Sequence, residues 1–170
     1  MSNGEAEMTT GLDASEALLK SDKMKGFKYL HFATHGQVNE SKPELSRIFL
    51  APSADQDGSL YAGEIYNLKI NADLVTLSAC ETGLGKIAKG EGIVGLSRAL
   101  QYAGANNLIV SLWQVADQST AQLMIKFYDQ QLHNSYSGYN RALREAKLDL
   151  LNSEKYQHPY FWAPFILVGF

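Results

Sequence analysis

Apolar positions along this chain follow two periods. Short, nearly continuous apolar runs occupy residues 27–33, 74–79, 107–113 and 164–170. Runs of this length, bounded by glycine or polar residues, predict strands covered on both faces. Between them the spacing is helical. It recurs in Leu12, Ala14, Ala17 and Leu18 over residues 12–20, where Asp13 or Ser15 supplies the N-terminal signal. It returns in Ile93, Leu96, Leu100 and Ala103 and stops at Gly104. Two further amphipathic helices are predicted over 119–132 (Leu123, Met124, Phe127 and Tyr128 on one face) and 139–151 (Ala142, Leu143, Ala146 and Leu150).

Residues 36–61 form one longer insertion. In it, Arg47-Ile48-Phe49-Leu50 and Ser59-Leu60-Tyr61 flank the turn-rich Asp55-Gln56-Asp57-Gly58, a hairpin signature. Residues 62–67 are predicted to make about one helical turn. Segment 83–92 holds Gly83, Gly85, Gly90 and Gly92 and is not expected to be a regular helix. Polar residues 1–10 are expected to be disordered. Strand–helix–strand alternation implies an α/β fold with a mainly parallel, helix-covered sheet.

Composition narrows the function classes. A chain of 170 residues, 45% hydrophobic and 19% charged, suits one globular domain with a sizeable core. A formal net charge of −3 supplies no general basic surface for nucleic acid or an acidic membrane. One cysteine forms no internal disulfide. No apolar run approaches the roughly 20 residues of a membrane span, and the start lacks the apolar core of a signal peptide. A cytoplasmic location is expected.

Two motifs carry the candidate chemistry: Phe32-Ala33-Thr34-His35-Gly36 and Leu77-Ser78-Ala79-Cys80-Glu81-Thr82-Gly83. Each follows an apolar strand and breaks at glycine. Parallel α/β sheets present side chains to ligands at the carboxyl ends of their strands. Cys80 and His35 meeting there would form a thiolate–imidazole pair, with Cys80 as nucleophile and His35 as base. The amides of Gly36 and Cys80 are candidates for receiving the oxyanion. Taken singly, a cysteine is more often a small core residue and a loop histidine is more often bonded to a nearby carbonyl. His31 is read as a packed sheet histidine, and His133 and His158 carry no specific signal. The scattered histidines have no zinc-ligand spacing. Asp117 follows the strand ending in Trp113. On residue chemistry it reads as the cap of the 119–132 helix, with a receptor for a cationic substrate side chain as the functional alternative.

A rival enzyme class is weaker. Gly83-Leu84-Gly85-Lys86-Ile87-Ala88 fits a loose dinucleotide-binding fingerprint, but glycines interrupt the helix that should follow, and no acidic residue lies between Glu91 and Asp117. Lys86 precedes Ile87 rather than Ser or Thr, which argues against a phosphate loop.

In combination and order, these motifs, with Gly90-Glu91-Gly92, Ser111-Leu112-Trp113, Val115, Asp117 and Trp162-Ala163-Pro164-Phe165, resemble the CHAT-domain family, grouped with caspases and separases among caspase-fold cysteine peptidases. The resemblance runs from about Phe27 to Gly169. It implies a three-layer caspase-like fold and a dyad of His35 and Cys80, whose separation of 45 residues is similar to that in caspases. It implies cysteine endopeptidase activity on a protein or peptide, after Arg or Lys held by Asp117, with no metal or organic cofactor. Ser78 stands where caspases have glutamine and metacaspases aspartate, so those families' substrate pockets do not carry over there. The resemblance divides the chain into a polar leader with a short helix (1–26) and the C-terminal portion of the domain (27–170). The fold's two strands before the histidine strand have no counterpart in residues 1–26, nor do the TPR repeats that often precede the domain. An upstream domain or TPR-containing segment is therefore the expected partner, with self-association through an open sheet edge. The alternative function is a non-catalytic or truncated caspase-like regulatory or assembly module.

Overall fold

The computed structural model describes residues 6–39, 41–78, 80–81, 91–133 and 138–169. Eight strands and five α-helices follow one another among them: α1 (Glu16–Lys20), β1 (Tyr29–Phe32), β2 (Gly36–Gln37), β3 (Arg47–Phe49), β4 (Ser59–Tyr61), α2 (Ala62–Ile65), β5 (Ala72–Leu77), β6 (Cys80–Glu81), α3 (Glu91–Tyr102), β7 (Ala105–Ser111), α4 (Asp117–His133), α5 (Tyr139–Leu151) and β8 (Phe165–Gly169). The expected three-layer α/β arrangement is present.

The main sheet has the order β1-β5-β7-β8. β1, β5 and β7 run parallel, with Tyr29 opposite Leu74 and Leu77 opposite Val110. β8 lies antiparallel on β7, pairing Ser111 with Phe165. Alternation across the pleat divides the core. Leu30, Val75, Leu77, Leu108 and Val110 pack on one face with Leu96, Ala99 and Leu100 of α3. Leu74, Ile109 and Phe165 pack on the other with Leu123 and Phe127 of α4 and Ala142, Ala146 and Leu150 of α5. α5 has the predicted bounds, and its predicted inward residues are buried.

α3 takes in Glu91 and Gly92, two residues ahead of the first predicted apolar position. The glycine-rich segment 83–90, and with it the dinucleotide alternative, lies outside the described residues, as do residues 1–5. Gly104 stops the chain of α3 as expected. It has φ +113°, and a Cβ there would come within 1.9 Å of the Ile70 carbonyl oxygen.

The leading pattern is shorter than predicted. The Ser15 side chain caps α1 by accepting from the Leu18 amide at 3.2 Å, so the helix starts at Glu16, after a 3-10 turn over Gly11–Asp13. Leu12 is left 81% exposed, while Glu16 is buried. The Glu16 carboxylate accepts from the Gly58 amide at 3.0 Å and pairs with Lys20 at 2.6 Å, which ties α1 to the hairpin turn. Lys20 also reaches Glu64 at 2.8 Å. Residues 6–10 have no regular structure, and Glu7 pairs with Lys23 at 2.5 Å.

The predicted hairpin forms from β3 and β4. It extends into a second four-stranded sheet, order β4-β3-β2-β6, which the apolar pattern does not reveal. β1 is an edge strand: among the described residues nothing pairs with its outer side. A groove of about 730 Å³ runs along that edge, walled by Met8, Thr10, Leu19, Tyr29 and His31.

Candidate functional site

Three segments leave the carboxyl ends of three adjacent parallel strands. β1 ends at Phe32, β5 at Leu77 and β7 at Ser111, and His35, Cys80 and Asp117 follow in turn. The strand carrying His35 does not continue unbroken. After residues 33–35 the chain resumes as β2, which pairs with β6 in parallel, Gly36 opposite Cys80 and Gln37 opposite Glu81. His35 therefore precedes the residue whose backbone stands in register with Cys80. The side chains of Cys80 and Glu81 lie outside the description. The Phe49 amide donates to the His35 carbonyl at 2.8 Å. In an antiparallel ladder the next residue's amide then turns away from that partner. Gly36 thus faces away from β3, toward the Cys80 strand.

The two motifs also touch through side chains. His31 Nε2 lies 2.9 Å from the Ser78 hydroxyl, and the Ser78 amide donates to the Phe32 carbonyl at 3.2 Å. The His31 ring packs on Tyr128, centroids 5.6 Å apart, and Tyr128 bonds Thr76 at 3.0 Å. The expectation of a packed sheet histidine holds only in part: the ring packs on Tyr128, but the residue is exposed at the sheet edge.

Desolvation of the ring lowers the His31 pKa below the ordinary 6.5. The unfolded chain therefore takes up this proton more readily than the folded one. The neutral ring's contribution to stability is complete above pH 6.5 and declines as pH falls below that value and through the folded pKa. We expect His31→Gln to flatten the acid side of the stability profile. Urea midpoints for parent and variant at pH 7.5 and pH 5.5 read the difference, and parallel losses in both would contradict it.

Asp117 is the first residue of α4, two residues earlier than the predicted helix start, and its carboxylate is exposed. Among the described residues it takes neither a hydrogen bond nor an ion pair, so the capping expectation fails. The Ala116 carbonyl closes the first turn instead, accepting from Thr120 at 3.1 Å. A negative charge in the first turn still suits the helix dipole.

The loop before Asp117 is braced by Trp113 together with residues that no sequence motif marks. Trp113 Nε1 donates to the Tyr160 carbonyl at 3.1 Å, and Tyr160 Oη donates to the Gln114 carbonyl at 2.8 Å. The two rings stack at 6.4 Å. Lys155 donates to Gln118 at 3.0 Å. Tyr160 had no motif to mark it, because its role depends on a chain reversal that only the fold supplies. Thr34 stands inside the histidine motif, but its partner does not: its hydroxyl donates to the Phe49 carbonyl at 2.7 Å and fixes the His35 segment to the hairpin.

The family model for the CHAT domain matches residues 1–170. The chain belongs to the CHAT domain family. Membership points to caspase-like cysteine peptidases, in agreement with the helix-covered, mainly parallel sheet. The chain is also similar to Tetratricopeptide repeat protein 28 from mouse (Mus musculus), 31% identical over 110 residues, which are 65% of this chain and 4% of the mouse protein. It is similar to the protein of the same name from Homo sapiens, 31% identical over 114 residues, which are 67% of this chain and 4% of that protein. The match thus covers about 4% of the length of these curated relatives. This CHAT domain has a sheet edge at β1 that remains unpaired among the described residues.

Proposed function

We propose that this CHAT domain is a cysteine endopeptidase acting in the cytoplasm by a Cys80–His35 dyad on protein or peptide substrates, after Arg or Lys. The observation that carries the reading is the register of Gly36 against Cys80 at the carboxyl ends of adjacent parallel strands. His35 takes the thiol proton, the Cys80 thiolate attacks the scissile carbonyl, and the imidazolium returns the proton to the leaving amine. The oxyanion is received by the amides of Gly36 and Cys80. A water, deprotonated by the same imidazole, then releases the acyl group. Every proton is accounted for by one thiol, one imidazole and water, so the chemistry needs no metal or organic cofactor. The unpartnered, exposed Asp117 supports its assignment as receptor for the substrate cation.

The relatives' name supports a TPR-containing segment as the natural companion of the domain. A second reading, a non-catalytic regulatory or assembly module, draws support from the open β1 edge and its groove. Peptide turnover distinguishes the two, because an assembly module would cleave nothing.

Asp117→Ala tests the specificity assignment. Stranding a substrate guanidinium without its carboxylate should weaken cleavage after Arg or Lys by about 2 kcal/mol, or roughly thirtyfold. Cleavage after neutral residues should change little, and unfolding should shift by less than about 1 kcal/mol. Equal losses on basic and neutral substrates would remove Asp117 from the substrate site.

A further inference from the structure

Arg47 is held more closely than a surface arginine needs to be. Its Nε and Nη2 both donate to Oε1 of Gln37, at 3.1 and 2.9 Å. Nη1 donates to Tyr61 Oη at 3.0 Å and to the Ser59 hydroxyl at 3.4 Å. The guanidinium carbon lies over the Phe49 ring, 4.7 Å from its centroid, and 5.6 Å from that of Tyr61. Among the described residues no carboxylate pairs with it. A guanidinium committed to neutral acceptors and ring faces contributes geometry rather than charge pairing.

That geometry converges on His35. Gln37, two residues after it, pairs in register with Arg47 across β2 and β3. Phe49, under the guanidinium, donates its amide to the His35 carbonyl at 2.8 Å and accepts the Thr34 hydroxyl at 2.7 Å. β2 itself has two residues, and three residues without strand structure separate it from β1. So short a ladder fixes little without side-chain help.

We propose that Arg47 is a positioning residue for the candidate base. It clamps Gln37 and Phe49 together, and through them holds the His35–Gly36 backbone in register with the Cys80 strand. The inference rests on the assignment of His35 as the base.

Cys80 is the chain's only cysteine, so its alkylation by iodoacetamide reads the dyad without any substrate. The rate is followed by intact mass from pH 5 to 9. For the parent chain we expect a thiolate profile displaced to low pH by His35, and His35→Ala should move the midpoint upward. Arg47→Met should move it the same way and slow alkylation at pH 7 by about tenfold. Combined with His35→Ala, it should add nothing further. Arg47→Lys keeps the charge and loses the fork, so it should behave like Arg47→Met. Gln37→Leu removes the clamp from its other end and guards against a folding defect peculiar to one variant. Circular dichroism at the assay temperature checks each protein. A parent-like profile for Arg47→Met and Gln37→Leu, beside a shifted His35→Ala, would overturn the clamp and leave the dyad standing. A parent-like Arg47→Lys would mean charge rather than position and would also overturn it. An unshifted His35→Ala would remove the base, and the clamp with it.

Discussion

Replacing Cys80 with alanine is expected to abolish peptide cleavage while leaving the fold nearly intact. The nucleophile is the one group in the proposed mechanism that no neighbour replaces. Water held at the same place is a far weaker attacker and cannot form the acyl intermediate that splits the reaction into two easier steps. Loss of a nucleophile of this kind lowers turnover by more than about a thousandfold. The structural cost is small by comparison. One sulfur at the end of a strand corresponds to roughly 1 kcal/mol of burial at most. Turnover of an arginine-containing peptide and thermal unfolding, measured on the same variant, separate the two effects. Parental turnover by Cys80→Ala would exclude Cys80 as nucleophile.

The second large effect concerns the open side of β1. In a parallel ladder the amides of alternate residues face opposite neighbours. Lys28 and Phe32 give their carbonyls to the β5 side, accepting from Leu74 and Ser78 at 3.2 Å each. Tyr29 and His31 therefore direct theirs outward, along the groove of about 730 Å³. An unpaired parallel edge with apolar walls favours pairing with another strand. With this edge unpaired, the protein is expected to self-associate and to be at best weakly active, because β1 leads directly into the His35 segment. A displacement near 1 Å at the base costs on the order of a hundredfold in rate. A strand supplied to this edge, by an upstream segment in cis or in trans, should restore a monomer and raise turnover by about that factor. Light scattering that finds a monomer, together with unchanged turnover after addition of the segment, would contradict this.

Much of the fold was legible because it rests on local pattern. α5 matches its predicted bounds, since its apolar stripe, its polar flank and its entry after a glycine agree with one another. β5 was legible as a run buried on both faces. Most of the failures come from long-range pairing, and one from local capping. β2 and β6 are two residues each, too short for any period; β2 forms against the hairpin strand β3, and β6 against β2. The direction of β8 is not written in an apolar run, which serves parallel and antiparallel neighbours equally. The 12–20 pattern overstated α1. Gly11 has φ +58° and Ser15 caps the helix, so the helical spacing of Leu12 belongs to no helix. The candidate site was legible as residue types at strand ends, His35, Cys80 and Asp117. Its supports, Arg47, Gln37, Thr34 and Tyr160, were not, because each acts across at least ten residues of sequence on a neighbour that folding brings to it.

In the proposed mechanism His35 activates Cys80 toward a peptide carbonyl beside Asp117. Covalent trapping tests it most directly. A short peptide ending in an arginyl chloromethyl ketone is incubated with the chain, and intact mass and peptide mapping follow the adduct. One adduct is expected, on Cys80, forming at least about tenfold more slowly in His35→Ala. Labelling of Cys80 at the same rate in parent and His35→Ala, or no faster than with a peptide that lacks arginine, would contradict it.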